Sequence, residues 1–478
     1  MISNRILSSS RQLHPLHRMR TVPTLFAAVT LAVTAHPAVA APLTPADLQQ
    51  SVAPLVENKT LQAVSLGLIQ SGKVVTAHAG SLSPATTTPP DDQTLYEIGS
   101  ITKVFTGLLL ADAVVRGEVT LDTTLASLLP TDVTLPDGDG ERITLRMLAT
   151  HTSGLPRIPP EIPSDDYRDP YATYGEPELW ATLRRVKLDF PPGTKASYSN
   201  LAVGLLGTLL ARNAGMTYPE LLAKRIAQPL GMKDTVIGLR DDLRDRFPPA
   251  FTSTGAPCQP WEFKALAAAG GIRSTTADMI RFANAVLHPE TTSLQKAIEL
   301  AWSKQTLAAS ITGGGQALGW MLAGDGRTRW HNGMTGGFHA ALFVNRELGL
   351  ATLVLSNRST PAGSQIAEAL MRRAAGVPER PAPNRDRATV ALSAEQLDRC
   401  TGTFRVSPQF ALVFERRNEA LFLTPTGQAT DRLYAASPET FFSRRVAADI
   451  VFEFPADGGP ATALTLKQSG RQVRALRE

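Results

Sequence analysis

The spacing of apolar and polar positions changes several times along the chain, and each change marks an element. From Ile101 to Val115 apolar residues follow one another with almost no polar face, which predicts a helix buried on all sides. Leu201 to Leu210 repeats that pattern. Pro45 to Glu57 reads as a further helix, followed by strands Ala63 to Gln70 and Val74 to His78 joined by a Ser71-Gly72-Lys73 turn. A later meander has strands at Leu318 to Leu322, Thr328 to His331, Phe338 to Val344 and Leu350 to Leu355. Strands at both ends with helices between them predict an α/β sandwich beside a helical region, with a site in the cleft. The stretch from Ile158 to Glu178 is rich in Pro, Asp and Tyr and predicts a long loop near the cleft mouth.

A proline-rich stretch, Val377 to Arg385, predicts a linker. Beyond it short alternating segments recur at Gly402 to Val406, Phe410 to Glu415, Ala420 to Pro425, Ile450 to Phe454 and Ala463 to Gln468, the pattern of a small β-barrel or sandwich. The expected division is a leader over 1–40, an α/β domain over 41–376, a linker over 377–388 and a small all-β domain over 389–478.

Chemistry enters at the start of the first buried helix. Ser100 and Lys103 lie on one face of it, a turn apart, in Gly99-Ser100-Ile101-Thr102-Lys103. A serine hydroxyl becomes nucleophilic when a neighbouring base takes its proton, and a lysine in a dry pocket is such a base because burial disfavours its charged form. A capping serine and a snorkelling lysine would produce the same local pattern. A second Ser-x-x-Lys, Ser293 to Lys296, follows a polar turn and reads as surface.

Two further stretches carry polar groups between apolar runs. In Tyr198-Ser199-Asn200 the phenol can relay a proton and the amide can hold an acyl-amide oxygen, although Asn200 would also serve as the cap of the next helix. In His331-Asn332-Gly333-Met334 the glycine lets a ligand approach the backbone closely, or simply forms a hairpin. The N–H groups of Ser100 and Met334 are the candidate oxyanion donors.

Taken in order, Ser100-x-x-Lys103, Tyr198-x-Asn200 and His331-Asn332-Gly333 resemble the motifs of the penicillin-recognising serine hydrolases, in particular class C β-lactamases and their DD-peptidase and esterase relatives. Met147 to Pro156, Pro229 to Thr235 and Gly270 to Met279 look like the same family, and the resemblance covers residues 44 to 376. It implies an antiparallel sheet flanked by helices, and acyl transfer with Ser100, Lys103 and Tyr198 catalytic and Asn200, His331, Asn332, Gly333 and Met334 binding substrate. Either Lys103 or Tyr198 could be the base. The C-terminal segments resemble the lipocalin-like domains appended to some members.

The third motif departs from the Lys-Thr-Gly of many β-lactamases. A histidine there is mostly neutral at pH 7, which argues against efficient β-lactam hydrolysis and leaves peptidase or esterase activity open. Arg273 and Arg329 could restore the missing charge, solvated surface being the simpler expectation for both. The expected activity is acyl-enzyme hydrolysis of a β-lactam or a D-Ala-D-Ala-like amide. The alternatives are an esterase, a D-amino-acid amidase or aminopeptidase, and a penicillin- or peptidoglycan-binding sensor without turnover.

Composition narrows the setting. The 478 residues are 43% apolar and 19% charged, as in a globular chain. The formal charge of +5 is concentrated at the start, where residues 1–40 hold four arginines and no acid, so no basic face for nucleic acid is expected. Arg18 and Arg20 precede an apolar run from Thr24 to Ala35, and Ala38-Val39-Ala40 completes the pattern of a secretion signal. Starting at Met19 would give a leader of more ordinary length. The apolar run is too short to span a bilayer, so a secreted or periplasmic enzyme without a stable membrane span is expected, with a small-molecule or peptidoglycan-like substrate. Cys258 and Cys400 are expected as free thiols, and the histidine spacing predicts no metal site and no cofactor. Oligomeric state is left open.

Overall fold

The structure is a computed structural model that describes residues 41–162, 168–305, 315–377, 386–407, 410–425, 430–444, 446–468 and 471–478. The expected leader, most of the expected linker and part of the cleft-mouth loop lie outside them. The described residues fall into two compact units, one ending at 377 and one beginning at 386.

The first unit is built on a six-stranded antiparallel sheet. Its spatial order is Lys73–Gly80, Ala63–Gln70, Leu350–Ser356, His339–Asn345, Arg329–Met334 and Met321–Leu322. The strands Ala63–Gln70, His339–Asn345 and Leu350–Ser356 are buried along their whole length, because helices cover both faces. Helices Pro45–Glu57 and Ala362–Ala374 pack on the sheet, and helix Thr276–Leu287 packs against three of its strands. Gly67 makes room for this last helix: a Cβ there would fall 2.6 Å from Ile280 Cδ1.

Helix Thr102–Val115 lies in the middle of the unit, and every residue from Thr102 to Ala113 is buried. Each fully buried Leu or Phe contributes about 1.5–3 kcal/mol, and Phe105, Leu108, Leu109 and Leu110 are all such residues. The helix ends where Gly117 takes φ +73°, a left-handed conformation that suits a residue without Cβ. Helix Asn200–Asn213, buried from Leu201 to Ala211, packs across it.

The second unit is a closed barrel of eight antiparallel strands in sequential order, from Gly402–Ser407 to Arg471–Arg477, sealed by the pairs Phe404↔Arg477 and Arg405↔Leu476. Inward positions alternate with outward ones. Phe404, Phe414, Phe441 and Phe452 fill the interior with edge-to-face contacts at centroid distances of 5.1–5.6 Å. The interior is therefore a packed core. Three strands that the alternation did not signal complete the closure: Asp431–Ala435, Thr440–Ser443 and Arg471–Arg477.

Among the described residues no helix is long and apolar enough to cross a membrane, and no cluster of His, Cys, Asp or Glu has the makings of a metal site. Cys258 and Cys400 are unpaired.

Candidate active site

Ser100 sits in a tight 3-10 turn, Gly99–Ile101, that runs directly into helix Thr102–Val115. Gly99 takes φ +50° to make the turn. One helical turn later Lys103 is fully buried, its Nζ 3.1 Å from Ser100 Oγ and donating to the Ala269 carbonyl at 2.6 Å. Burial, with help from the positive charge of Arg157, holds the Lys103 pKa well below its usual value. The amine is not snorkelling, and Ser100 caps nothing: no side-chain cap is present at this helix start.

Tyr198 closes the other side. Its phenol interacts with the Ser100 hydroxyl, and burial drives its pKa up. Lys103 Nζ stands 4.8 Å from the ring centroid. Two histidines flank the ring, His151 stacked at 4.5 Å and His331 tilted at 6.1 Å. Arg157 lies over it with Cζ at 5.1 Å. His151 lies in the loop that follows helix Leu145–Ala149. In the structure it adopts φ +60°, rare for a side-chain-bearing residue, and is pinned by hydrogen bonds from Ser197 N to its carbonyl and from Ser199 N to Nδ1. Burial keeps His151 neutral.

Ser199, not Asn200, caps the helix, accepting from Ala202 N at 2.9 Å. That leaves the Asn200 amide for other partners. Its Nδ2 donates to Tyr171 Oη at 3.2 Å, and its Oδ1 is buried with no partner among the described residues.

Strand Arg329–Met334 forms the third wall. Among the described residues its outer neighbour pairs only with Arg329 and Trp330, which leaves the edge from His331 onward without a strand partner there, and the Gly99–Ile101 turn lies against it. The approach is backbone to backbone: a Cβ on Gly333 would fall 2.7 Å from Ser100 N and 1.9 Å from Ile98 O, and one on Gly99 would fall 2.7 Å from Met334 N. The N–H groups of Ser100 and Met334 are thus neighbours. Successive side chains of a strand point to opposite faces. His331 faces Tyr198, with Nδ1 on the Asn332 carbonyl at 2.6 Å and Nε2 buried without a partner among the described residues. Its pKa is pushed down to about 3, chiefly by burial. Asn332 points the other way, its Nδ2 donating to Ser364 Oγ at 3.0 Å. The structure therefore brings together Ser100, Lys103, Tyr198, Asn200, His331, Gly333 and Met334, and turns the Asn332 side chain away from them.

The two arginines that could have restored a positive charge do neither that nor reach solvent. Arg273 is 3% exposed and bonded to Glu97, Glu262 and two carbonyls. Arg329 is buried among the carbonyls of Trp302, Gly326 and Arg327. The second Ser-x-x-Lys is exposed at both residues, although Lys296 stands at the start of a helix, Gln295–Trp302, where the sequence pattern suggested none. A Ser65–His78–Asp92 array also exists, with His78 2.9 Å from Ser65 Oγ and 3.1 Å from Asp92 Oδ1. Ser65 is fully buried in the sheet and bonded to Tyr96 Oη, so it locks strands together and offers no accessible nucleophile.

The family model described as Beta-lactamase matches residues 48–376. The β-lactamase of Pseudomonas fluorescens is 26% identical over 354 residues, covering 67% of this chain and 95% of that protein. The β-lactamase of Escherichia coli (strain K12) is 31% identical over 291 residues, 58% of this chain and 70% of that one. The D-alanyl-D-alanine-carboxypeptidase/endopeptidase AmpH of the same strain is 33% identical over 219 residues, so the chain spans only 56% of AmpH's length in that match. With well over half of its length matched by the family model, the chain belongs to the Beta-lactamase family and is a serine hydrolase.

Proposed function

We propose that the protein is an exported class C-type serine hydrolase that forms an acyl-enzyme on Ser100 with a D-Ala-D-Ala-like amide or a β-lactam. The observation that carries the reading is the fully buried Lys103 amine 3.1 Å from Ser100 Oγ. A neutral amine has two N–H bonds and one lone pair. One N–H goes to the Ala269 carbonyl, which leaves the lone pair free to receive the Ser100 proton. Tyr198, whose phenolate is disfavoured by burial, starts as a neutral donor. The base is therefore Lys103.

As the proton moves from Oγ to Nζ, Oγ bonds to the substrate carbonyl carbon. The oxyanion is held by the N–H groups of Ser100 and Met334. Tyr198 gives its proton to the leaving nitrogen and recovers one from Lys103, so the C–N bond breaks with every proton accounted for. Water then releases the acyl group from Ser100. An extended peptide could pair with the open edge from His331 to Met334, and Asn200 could meet its acyl amide. Export through the 1–40 leader, and a linker over 377–388 joining the two units, belong to the same proposal.

The test is the intact mass of the mature protein with a penicillin, followed from seconds to hours. A lasting adduct on Ser100 supports a penicillin-binding peptidase or sensor, and conversion of the penicillin without a lasting adduct supports β-lactamase turnover. The absence of both adduct and conversion defeats the proposal. A second reading, an esterase or D-amino-acid amidase, is favoured by one observation: neutral His331 replaces the permanent charge that would meet a leaving-group carboxylate.

A further inference from the structure

Four ionisable groups lie against the Tyr198 ring: Lys103, His151, His331 and Arg157. The first three are buried, and burial favours their neutral forms. A guanidinium cannot be neutralised in this way, and Arg157 is exposed. No carboxylate among the described residues pairs with it. Its backbone is fixed even though its side chain is free of such a pair, since the Arg157 carbonyl accepts from Asn200 N at 2.7 Å. This bond places the Arg157 backbone beside Asn200, and the guanidinium lies over the Tyr198 ring.

We infer that Arg157 is a substrate-binding residue that selects acyl groups bearing a carboxylate. This rests on the serine-hydrolase reading above and adds the charge of the substrate's acyl half. A cation that meets no carboxylate among the described residues, beside a site whose other basic groups are buried, leaves one place where an anion gains. The Asn200 amide, its Oδ1 buried without a partner among the described residues, would meet the acyl amide. A carboxylate further along the acyl chain then reaches the fork of Arg157, which is shaped for bidentate contact. The leaving-group half, beside His331, meets no such charge.

The experiment compares two esters of equal acyl length, mono-4-nitrophenyl adipate and 4-nitrophenyl hexanoate. The readout is the ratio of their kcat/KM values, anionic over neutral. The ratio falls about tenfold in Arg157→Gln, as expected for one partly solvated charge-assisted contact, and further in Arg157→Glu. Arg157→Lys restores part of it. In the wild-type enzyme the ratio declines as salt is raised, and in Arg157→Gln it is flat. A ratio indifferent to residue 157, with Ser100 still acylated by both esters, overturns the inference alone. If the wild-type enzyme forms no Ser100 adduct with either ester, the serine-hydrolase reading falls and takes the inference with it.

Discussion

Replacing Gly333 with alanine tests the geometry of the site at its tightest point. A Cβ at this position would stand 1.9 Å from Ile98 O and 2.7 Å from Ser100 N, and both neighbours are backbone atoms that no rotamer change can move. Returning the closer contact to the ordinary range, which starts at 3.4 Å, requires the strand and the Ser100 turn to part by about 1.5 Å. Oxyanion donors act at about 2.7–3.1 Å, so a parting of that size removes one of the two N–H groups from any shared oxygen. Loss of one donor lowers kcat by about a hundred- to a thousandfold, or roughly 3–4 kcal/mol of transition-state stabilisation.

The same overpacking lowers stability by about 1–3 kcal/mol, which a domain stable by about 5–15 kcal/mol survives. The two effects separate when Ser100 acylation is timed by mass spectrometry on protein whose folded fraction is known from urea unfolding. Gly238→Ala is the control, because a Cβ there meets nothing within 4 Å. Gly99→Ala should match or exceed the loss, since it clashes with Met334 N and also strains a backbone at φ +50°. A folded Gly333→Ala enzyme that acylates within threefold of wild type would refute the placement of the oxyanion donors.

Three other outcomes follow from the same geometry. Ser100→Ala should abolish covalent labelling by a penicillin and Ser293→Ala should leave it intact; labelling lost in the second variant alone would reverse the assignment of the nucleophile. Lys103→Met should lower kcat at least a thousandfold yet raise Tm at pH 7. Burial holds the native amine's pKa well below that of the unfolded chain, so Lys103 subtracts stability at every pH below the unfolded value, and a lower Tm in the variant would contradict the lowered pKa. His339, buried behind the sheet and pushed down to about 4, is neutral when folded and protonated when unfolded between about pH 4 and 6.5. Stability therefore falls as pH drops through that window, by about 1.4 kcal/mol per unit for this group. Glu97, raised to about 7, opposes it by holding a proton that the unfolded chain releases. His339→Gln should flatten the acid limb of urea-derived stability by about that slope, and an unchanged limb would mean that the ring is already charged in the native state.

The residues legible in the sequence are those whose environment is set by near neighbours. Lys103 stood out because the helix around it is apolar on every side, so a lysine there had no solvent face to reach. The all-buried strands and five of the barrel strands were equally plain, because a period of two or an unbroken apolar run is a local property. The barrel strands that escaped notice include Asp431–Ala435, whose outward positions are polar and whose few buried residues, Leu433 and Ala435, give too short a run to register. Asn332 illustrates a constraint that was present in the sequence: if His331 and Gly333 face the cleft, strand alternation turns Asn332 to the opposite face, where Ser364 receives it.

Other features depend on partners remote in sequence. Arg273 is buried because Glu97, 176 positions away, lies on the adjacent strand, and the Lys103 amine is oriented by a carbonyl 166 positions away. No local period encodes such pairings. His151 and Arg157 are the instructive cases, since they precede Tyr198 by more than forty positions and reach it only because the loop after His151 folds back onto the helix that Ser199 caps. A charged residue in a loop ordinarily reads as solvated surface. Arg157 is exposed as that expectation has it, yet its carbonyl accepts from Asn200 N and its guanidinium lies over the Tyr198 ring with no acid to pair with among the described residues, and the charge preference of the enzyme for its acyl group measures how much that placement matters.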